Sequence, residues 1–162
     1  RVGRLTPEVE EVDANTMVAS IAELTDNPNG VEFRYPEDLP RFTTLRTPLE
    51  QVLMNLISNA IKYNDRGQQG LVELDWRNGG EFYHVSVRDN GPGIPEKDHD
   101  RVFQMYQRVG DPDIEGSGMG LAVVKKQIEQ VGGEVRIESS VGEGARFDFT
   151  WPVRIENNAV AS

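Results

Sequence analysis

At 162 residues, with 37% of them hydrophobic, the chain can bury one ordinary globular core and has no room for a second domain. Its 27 acidic against 17 basic residues give a formal net charge of -10. That balance argues against a nucleic-acid surface or contact with an anionic membrane, both of which need clustered cations. No apolar run approaches the roughly 20 residues that span a bilayer, and no charged-then-apolar leader opens the chain; zero cysteines remove disulfides, thiolate zinc sites and a Cys nucleophile, so a cytoplasmic setting is expected.

In chain order, residues 1–8 and 154–162 read as tails around one domain over 9–153. A short strand is predicted over Val9–Asp13, a helix from about Asn15 to Leu24, a turn through Asp26–Gly30 and a strand over Val31–Tyr35. Pro48 then sits in the first turn of the strongest helix, which runs to about Tyr63. Its residues Leu49, Val52, Leu53, Leu56, Ile57, Ala60 and Ile61 recur at helical spacing, so one face is core. Val72, Leu74 and Trp76 alternate with Glu73, Asp75 and Arg77, and Tyr83, Val85 and Val87 alternate with His84, Ser86 and Arg88. These are two strands joined by an Asn78-Gly79-Gly80 turn. A Gly-, Asp- and Pro-rich loop covers about Gln107 to Ser117, and a helix from about Met119 to Val131 stops at Gly132-Gly133. Strands over Glu134–Ser139 and Ala145–Val153 flank a Gly142-Glu143-Gly144 turn. Hairpins dominate, which implies an α+β fold: a two-layer sandwich whose mixed, mainly antiparallel sheet carries helices on one face.

An acidic chain that binds a polyanion must do so locally, through backbone N–H groups, a bridging metal and a few cations. Three segments suit that chemistry, and a fourth does not. Asn55, Asn59 and Lys62 fall at i, i+4 and i+7 on the long helix, with Tyr63 beside them. An Asn amide oxygen is a hard ligand for Mg²⁺ and a Lys one turn on can reach a phosphate, although the same stripe could be a solvated helix edge. Asp89-Asn90-Gly91-Pro92-Gly93-Ile94 ends a strand. Its carboxylate can accept from an exocyclic amine while the glycines admit a ligand, but Asp-Asn-Gly also makes plain turns. Gly116-Ser117-Gly118-Met119-Gly120-Leu121 opens a helix, where free N–H groups face an anion. It fits neither the Rossmann fingerprint, because Leu121 stands where glycine is required, nor the P-loop pattern. Gly142-Glu143-Gly144-Ala145-Arg146-Phe147 reads as a hairpin turn.

Taken in order, these segments together with Val102-Phe103-Gln104-Met105-Tyr106 resemble the N, first glycine, F, second glycine and third glycine boxes of sensor histidine kinases, over roughly Val9 to Pro152. That family shares the Bergerat fold with type II topoisomerases, a class of heat-shock chaperones and the mismatch-repair ATPases. The resemblance implies a left-handed pocket for ATP and Mg²⁺. In it Asn59 would coordinate the metal, Asn55 line the phosphates, Lys62 contact a phosphate and Tyr63 pack on the adenine. Asp89 would receive the adenine amino group, Gly91 and Gly93 admit the base, and Ile94 wall the adenine. Gly116, Ser117, Gly118, Met119, Gly120 and Leu121 would border the phosphates, and Arg108, from the lid, would neutralise charge on the γ-phosphoryl group.

Some features depart from that pattern. Leu45-Arg46-Thr47-Pro48-Leu49 echoes a phosphoacceptor box, but Thr43 and Thr44 stand where His and Glu would be. His84 and His99 read as ordinary surface histidines, and Met105-Tyr106 replaces an aromatic pair of the F box. The lid, Gln104–Glu115, has few apolar anchors and is expected to move without nucleotide.

The related ATPases carry a Glu general base one turn before the metal-binding Asn. Here that position is Asn55, and an amide cannot take the proton from water. The resemblance therefore implies a phosphoryl donor for a histidine on a separate dimerisation domain of the same protein, with a response regulator downstream and this domain itself monomeric. A serine kinase or ATPase module of the same superfamily, or a nucleotide-dependent partner-binding domain, is the alternative.

Overall fold

The computed structural model describes residues 8–103 and 120–155. Among the described residues, seven strands and three helices follow one another as β1 Val9–Asp13, α1 Ala14–Leu24, β2 Glu32–Arg34, β3 Arg41–Leu45, α2 Arg46–Lys62, β4 Leu71–Asn78, β5 Phe82–Asp89, α3 Gly120–Gln130, β6 Val135–Ser139 and β7 Ala145–Pro152. Short 3₁₀ turns lie at Gly67–Gln69, Glu96–Asp98 and Arg101–Phe103. The main sheet has the order β2-β4-β5-β7-β6, parallel at β2–β4 and antiparallel elsewhere.

The alternation read in the sequence determines which side of this sheet is covered. Val72, Leu74, Tyr83, Val85, Val87, Phe149 and Trp151 are buried on the inner face, where α2 contributes Leu49, Val52, Leu53, Leu56, Ile57 and Ile61. Val124 and Ile128 of α3 and Met17, Val18 and Ile21 of α1 complete one continuous core. Helix α1 starts where Asp13 caps it, its carboxylate accepting from the Asn15 and Thr16 N–H groups at 3.0 and 3.3 Å. In α2, Pro48 lies in the first turn, as its missing N–H requires.

One feature differs from the sequence reading. Arg41–Leu45 is a strand, β3, which pairs antiparallel with β1 in a separate two-stranded sheet. Helix α2 begins directly after it, at Arg46. The physical reason is Thr44, which is fully buried where an alternating pattern needs an apolar residue. Its hydroxyl oxygen accepts from the Trp151 Nε1–H at 2.7 Å and ties the small sheet to β7. The phosphoacceptor echo therefore lies on a strand and the first turn of α2, not on a helical hairpin.

Candidate nucleotide-binding site

The end of β5, the end of α2 and the β6–β7 turn meet around Asp89. Parity along β5 places Asp89 on the inner face with Tyr83, Val85 and Val87, at the rim of the core. One carboxylate oxygen accepts from the Gly91 N–H at 2.8 Å. Burial pushes the Asp89 carboxyl above its ordinary value; the backbone N–H groups of Gly91 and Ala145 partly offset this, and the nearby charge of Asp65 adds to the rise. A half-buried carboxylate with unused acceptor capacity suits an N–H donor brought in by a ligand. Gly91 is buried against the α2 end: a Cβ there would stand 3.0 Å from Asp89 Oδ1 and 3.4 Å from the Asn64 Cα.

Asn64 and Asn90 hold these two segments together, and neither was singled out from the sequence. Asn64 is 5% exposed; its amide nitrogen donates to Asn90 Oδ1 at 2.9 Å, and its amide oxygen accepts from the Arg66 N–H at 2.9 Å. Asn90 Oδ1 also accepts from the Leu71 N–H at 2.8 Å, its amide nitrogen donates to the Gln69 carbonyl at 3.0 Å, and Arg66 Nε donates to the Asn90 carbonyl. Asn-Asp after a helix reads as a plain turn. The only signal in the sequence was the Asn of Asp-Asn-Gly, whose partner lies 26 positions away.

On α2, Asn55 and Asn59 are half-buried one turn apart and Lys62 is exposed, its ammonium 5.9 Å from the Tyr63 ring centre. Tyr63 caps the helix, its N–H donating to the Asn59 carbonyl at 3.0 Å. Helix α3 opens at Gly120, with Leu121 packed against the core. Ile94 is half-buried; its N–H donates to Ser139 Oγ at 2.8 Å and its carbonyl lies 2.9 Å from His99 Nε2. Asp89, Gly91, Gly93, Ile94 and the Tyr63 end of α2 thus gather at one end of the sandwich. Arg108, Gly116, Ser117, Gly118 and Met119 lie outside the described residues, as does the Gln104–Glu115 lid. His84 is on the outer sheet face, away from Asp89.

That outer face forms a hollow of about 1120 Å³ lined by Glu73, Asp75, Arg88, Arg146, Asp148 and their neighbours. Arg146 there is bound to Glu138 at 2.7 Å and to Asp148 at 3.0 Å, and none of the predicted site residues lines the hollow. It is the polar surface of a twisted sheet. Among the described residues no cluster of three or more His, Cys, Asp or Glu could hold a metal, and no helix is long and apolar enough to cross a membrane.

A two-layer sandwich with a half-buried aspartate at a strand end, near the end of a helix bearing Asn55, Asn59 and Lys62, has the layout of a nucleotide-binding domain of the ATPase type. Residues 44–155 match the family described as histidine kinase-, DNA gyrase B- and HSP90-like ATPases, and the chain belongs to that family. It is 35% identical to cyanobacterial phytochrome B of Nostoc sp. over 93% of its own length and 21% of that protein's. It is 37% identical to the methanogenesis regulatory histidine kinase FilI of Methanothrix harundinacea over 94% of its length and 17% of FilI. The chain therefore spans about a fifth of these multidomain relatives. A nucleotide-free catalytic domain of the histidine kinase ThkA superimposes with a TM-score of 0.74 at 27% identity, covering 91% of this chain and 97% of that one. The fold is the Bergerat sandwich, and the chain is an ATP-binding catalytic domain of the histidine-kinase kind.

Proposed function

We propose that this domain binds Mg-ATP with the adenine amino group on Asp89 and donates the γ-phosphoryl group to a histidine on a separate dimerisation domain of the same protein, on the cytoplasmic side, with a response regulator as the next acceptor. The half-buried Asp89 carboxylate, aimed inward at a strand end beside Tyr63, carries the adenine half of this reading. Gly91 and Gly93 let the base approach and Ile94 walls it.

Asn59 supplies one hard oxygen, which fits a Mg²⁺ ion that takes its remaining ligands from phosphate oxygens and water. Bound there, the metal would neutralise phosphate charge. Asn55 and Lys62 line the phosphate side, Lys62 as a cation at the helix end, and by the family resemblance Gly116, Ser117, Gly118, Met119, Gly120 and Leu121 would border it. Arg108 would offset charge developing on the transferred group. Asn55 stands where a hydrolase needs a carboxylate base, so water is a poor acceptor and the phosphoryl group is kept for the histidine.

Calorimetric titration with Mg-ATP tests the binding half: the wild type should bind, Asp89→Asn should lose most of that affinity, and no binding by the wild type would end the proposal. Mixing the loaded chain with its parent's dimerisation domain tests the transfer. Acid-labile, base-stable phosphate supports histidine as acceptor; acid-stable phosphate on a serine, or fast turnover surviving Asn55→Ala, would instead favour a serine kinase or an ATPase.

A further inference from the structure

The β6–β7 turn, an ordinary hairpin in the sequence, is packed against the back of the Asp89–Ile94 loop. The Ile94 N–H donates to Ser139 Oγ at 2.8 Å, and the Ser139 hydroxyl donates in turn to the Gly144 carbonyl at 2.7 Å. Within the same turn, the Gly142 N–H donates to the Pro92 carbonyl at 2.7 Å. The two segments touch backbone to backbone: Gly93 and Gly144 have φ of 77° and 81°, and a Cβ on either would collide with a carbonyl oxygen, that of Ser140 for Gly93 and that of Asp89 for Gly144. A hydroxyl has one proton. Here it is committed to Gly144, which leaves the oxygen's lone pairs for Ile94.

We infer that Ser139 is a positioning residue for base recognition. Its hydroxyl joins the third glycine turn to the Asp89–Ile94 loop and so fixes the path of Gly91–Gly93 and the aim of the Asp89 carboxylate. The inference rests on Asp89 being the adenine acceptor. Alanine at 139 would leave a backbone N–H and a carbonyl without their partner, and the loop could relax away from the geometry that selects adenine. A residue that only stabilised the fold would lower the affinity for every nucleotide alike, whereas one that aims Asp89 acts on the base.

The test is competition binding of Mg-ATP and Mg-GTP to the full chain, with thermal unfolding as a check on folding. Ser139→Ala should bind ATP about tenfold more weakly, the scale of one lost hydrogen bond, and GTP within about twofold of wild type, so the preference for ATP shrinks about tenfold. Ser139→Thr, which keeps the hydroxyl, should retain the wild-type preference. An unchanged ATP-to-GTP ratio in Ser139→Ala overturns the inference, whether both affinities hold or both fall, and so does an equal loss in Ser139→Thr. If Ser139→Ala does not fold, Ser139→Cys, of similar size and weaker as a donor, is judged by the same ratio. Failure of the wild type to prefer ATP would overturn the assignment of Asp89 itself, and is told apart because it shows without any substitution.

Discussion

Asp89 is set by the fold where a carboxylate is not at ease. Its carboxyl is raised by burial, so the folded chain holds that proton more tightly than the unfolded chain does. The sign follows: between the ordinary value of 3.8 and the raised folded value the native state carries the extra proton, stability falls as pH rises through that window, and the full cost is present above it. Asparagine can still accept from the Gly91 N–H and brings no charge. Asp89→Asn is therefore expected to be more stable than wild type at neutral pH, with the gain disappearing below pH 3.8, while nucleotide affinity is lost. Urea unfolding of both proteins at the two pH values checks it; a variant less stable at neutral pH would mean that the Gly91 contact, not burial, dominates at this residue. Glycine 93 gives a second residue-scale test. With φ of 77° and the Ser140 carbonyl oxygen standing where a Cβ would go, Gly93→Ala should cost about 2 kcal/mol or more in the same assay.

Among elements, β3 and α2 bear most on the site, because α2 carries Asn55, Asn59 and Lys62 and its start is anchored through Thr44. Removing that hydroxyl by Thr44→Val leaves the buried Trp151 Nε1–H without its acceptor at nearly constant volume. A loss of about 1–3 kcal/mol is expected in denaturant unfolding, against about 2–5 kcal/mol for Leu53→Ala, which opens a cavity in the α2 face. Near-equal stability of Thr44→Val and wild type would show that the two sheets do not depend on this tie. The same residue explains why β3 was not legible. Arg41–Leu45 is five residues long, its apolar alternation is broken because the buried position 44 holds a threonine and Leu45 is buried next to it, and it passes into α2 at Leu45 without a side-chain cap to mark the change. Helix α2 and strands β4 and β5 were legible because the inner face repeats Leu and Val at the period of each element. Asp89 and Asn59 stand out in the sequence as members of compact motifs. Asn64 and Ser139 do not, because their roles come from partners 26 and 45 positions away, and spacing along the chain carries no trace of such contacts.

For the whole molecule the governing quantity is charge. A chain of net charge -10 that takes up an anion has a far field opposed to its ligand, while the contacts proposed to hold the ligand would be short-ranged: Asp89 on the base, Asn59 through the metal, Lys62 at the end of α2. Far-field repulsion acts on approach and is screened once the Debye length falls from about 30 Å at 0.01 M salt to about 8 Å at 0.15 M. Contacts within a half-buried site are screened much less, so dissociation should hardly respond. The association rate of Mg-ATP is therefore expected to rise, by roughly a fewfold, between those two salt concentrations at fixed Mg²⁺, and the affinity with it. Stopped-flow binding of a fluorescent ATP analogue measures both rates. An association rate that falls with salt would mean that cations near the phosphate side, not the acidic body of the domain, set the field the nucleotide meets. Proteins that neutralise phosphates with basic patches lose affinity as salt rises; the opposite slope here would follow from a domain that recognises its anion through a metal, an amide and the base.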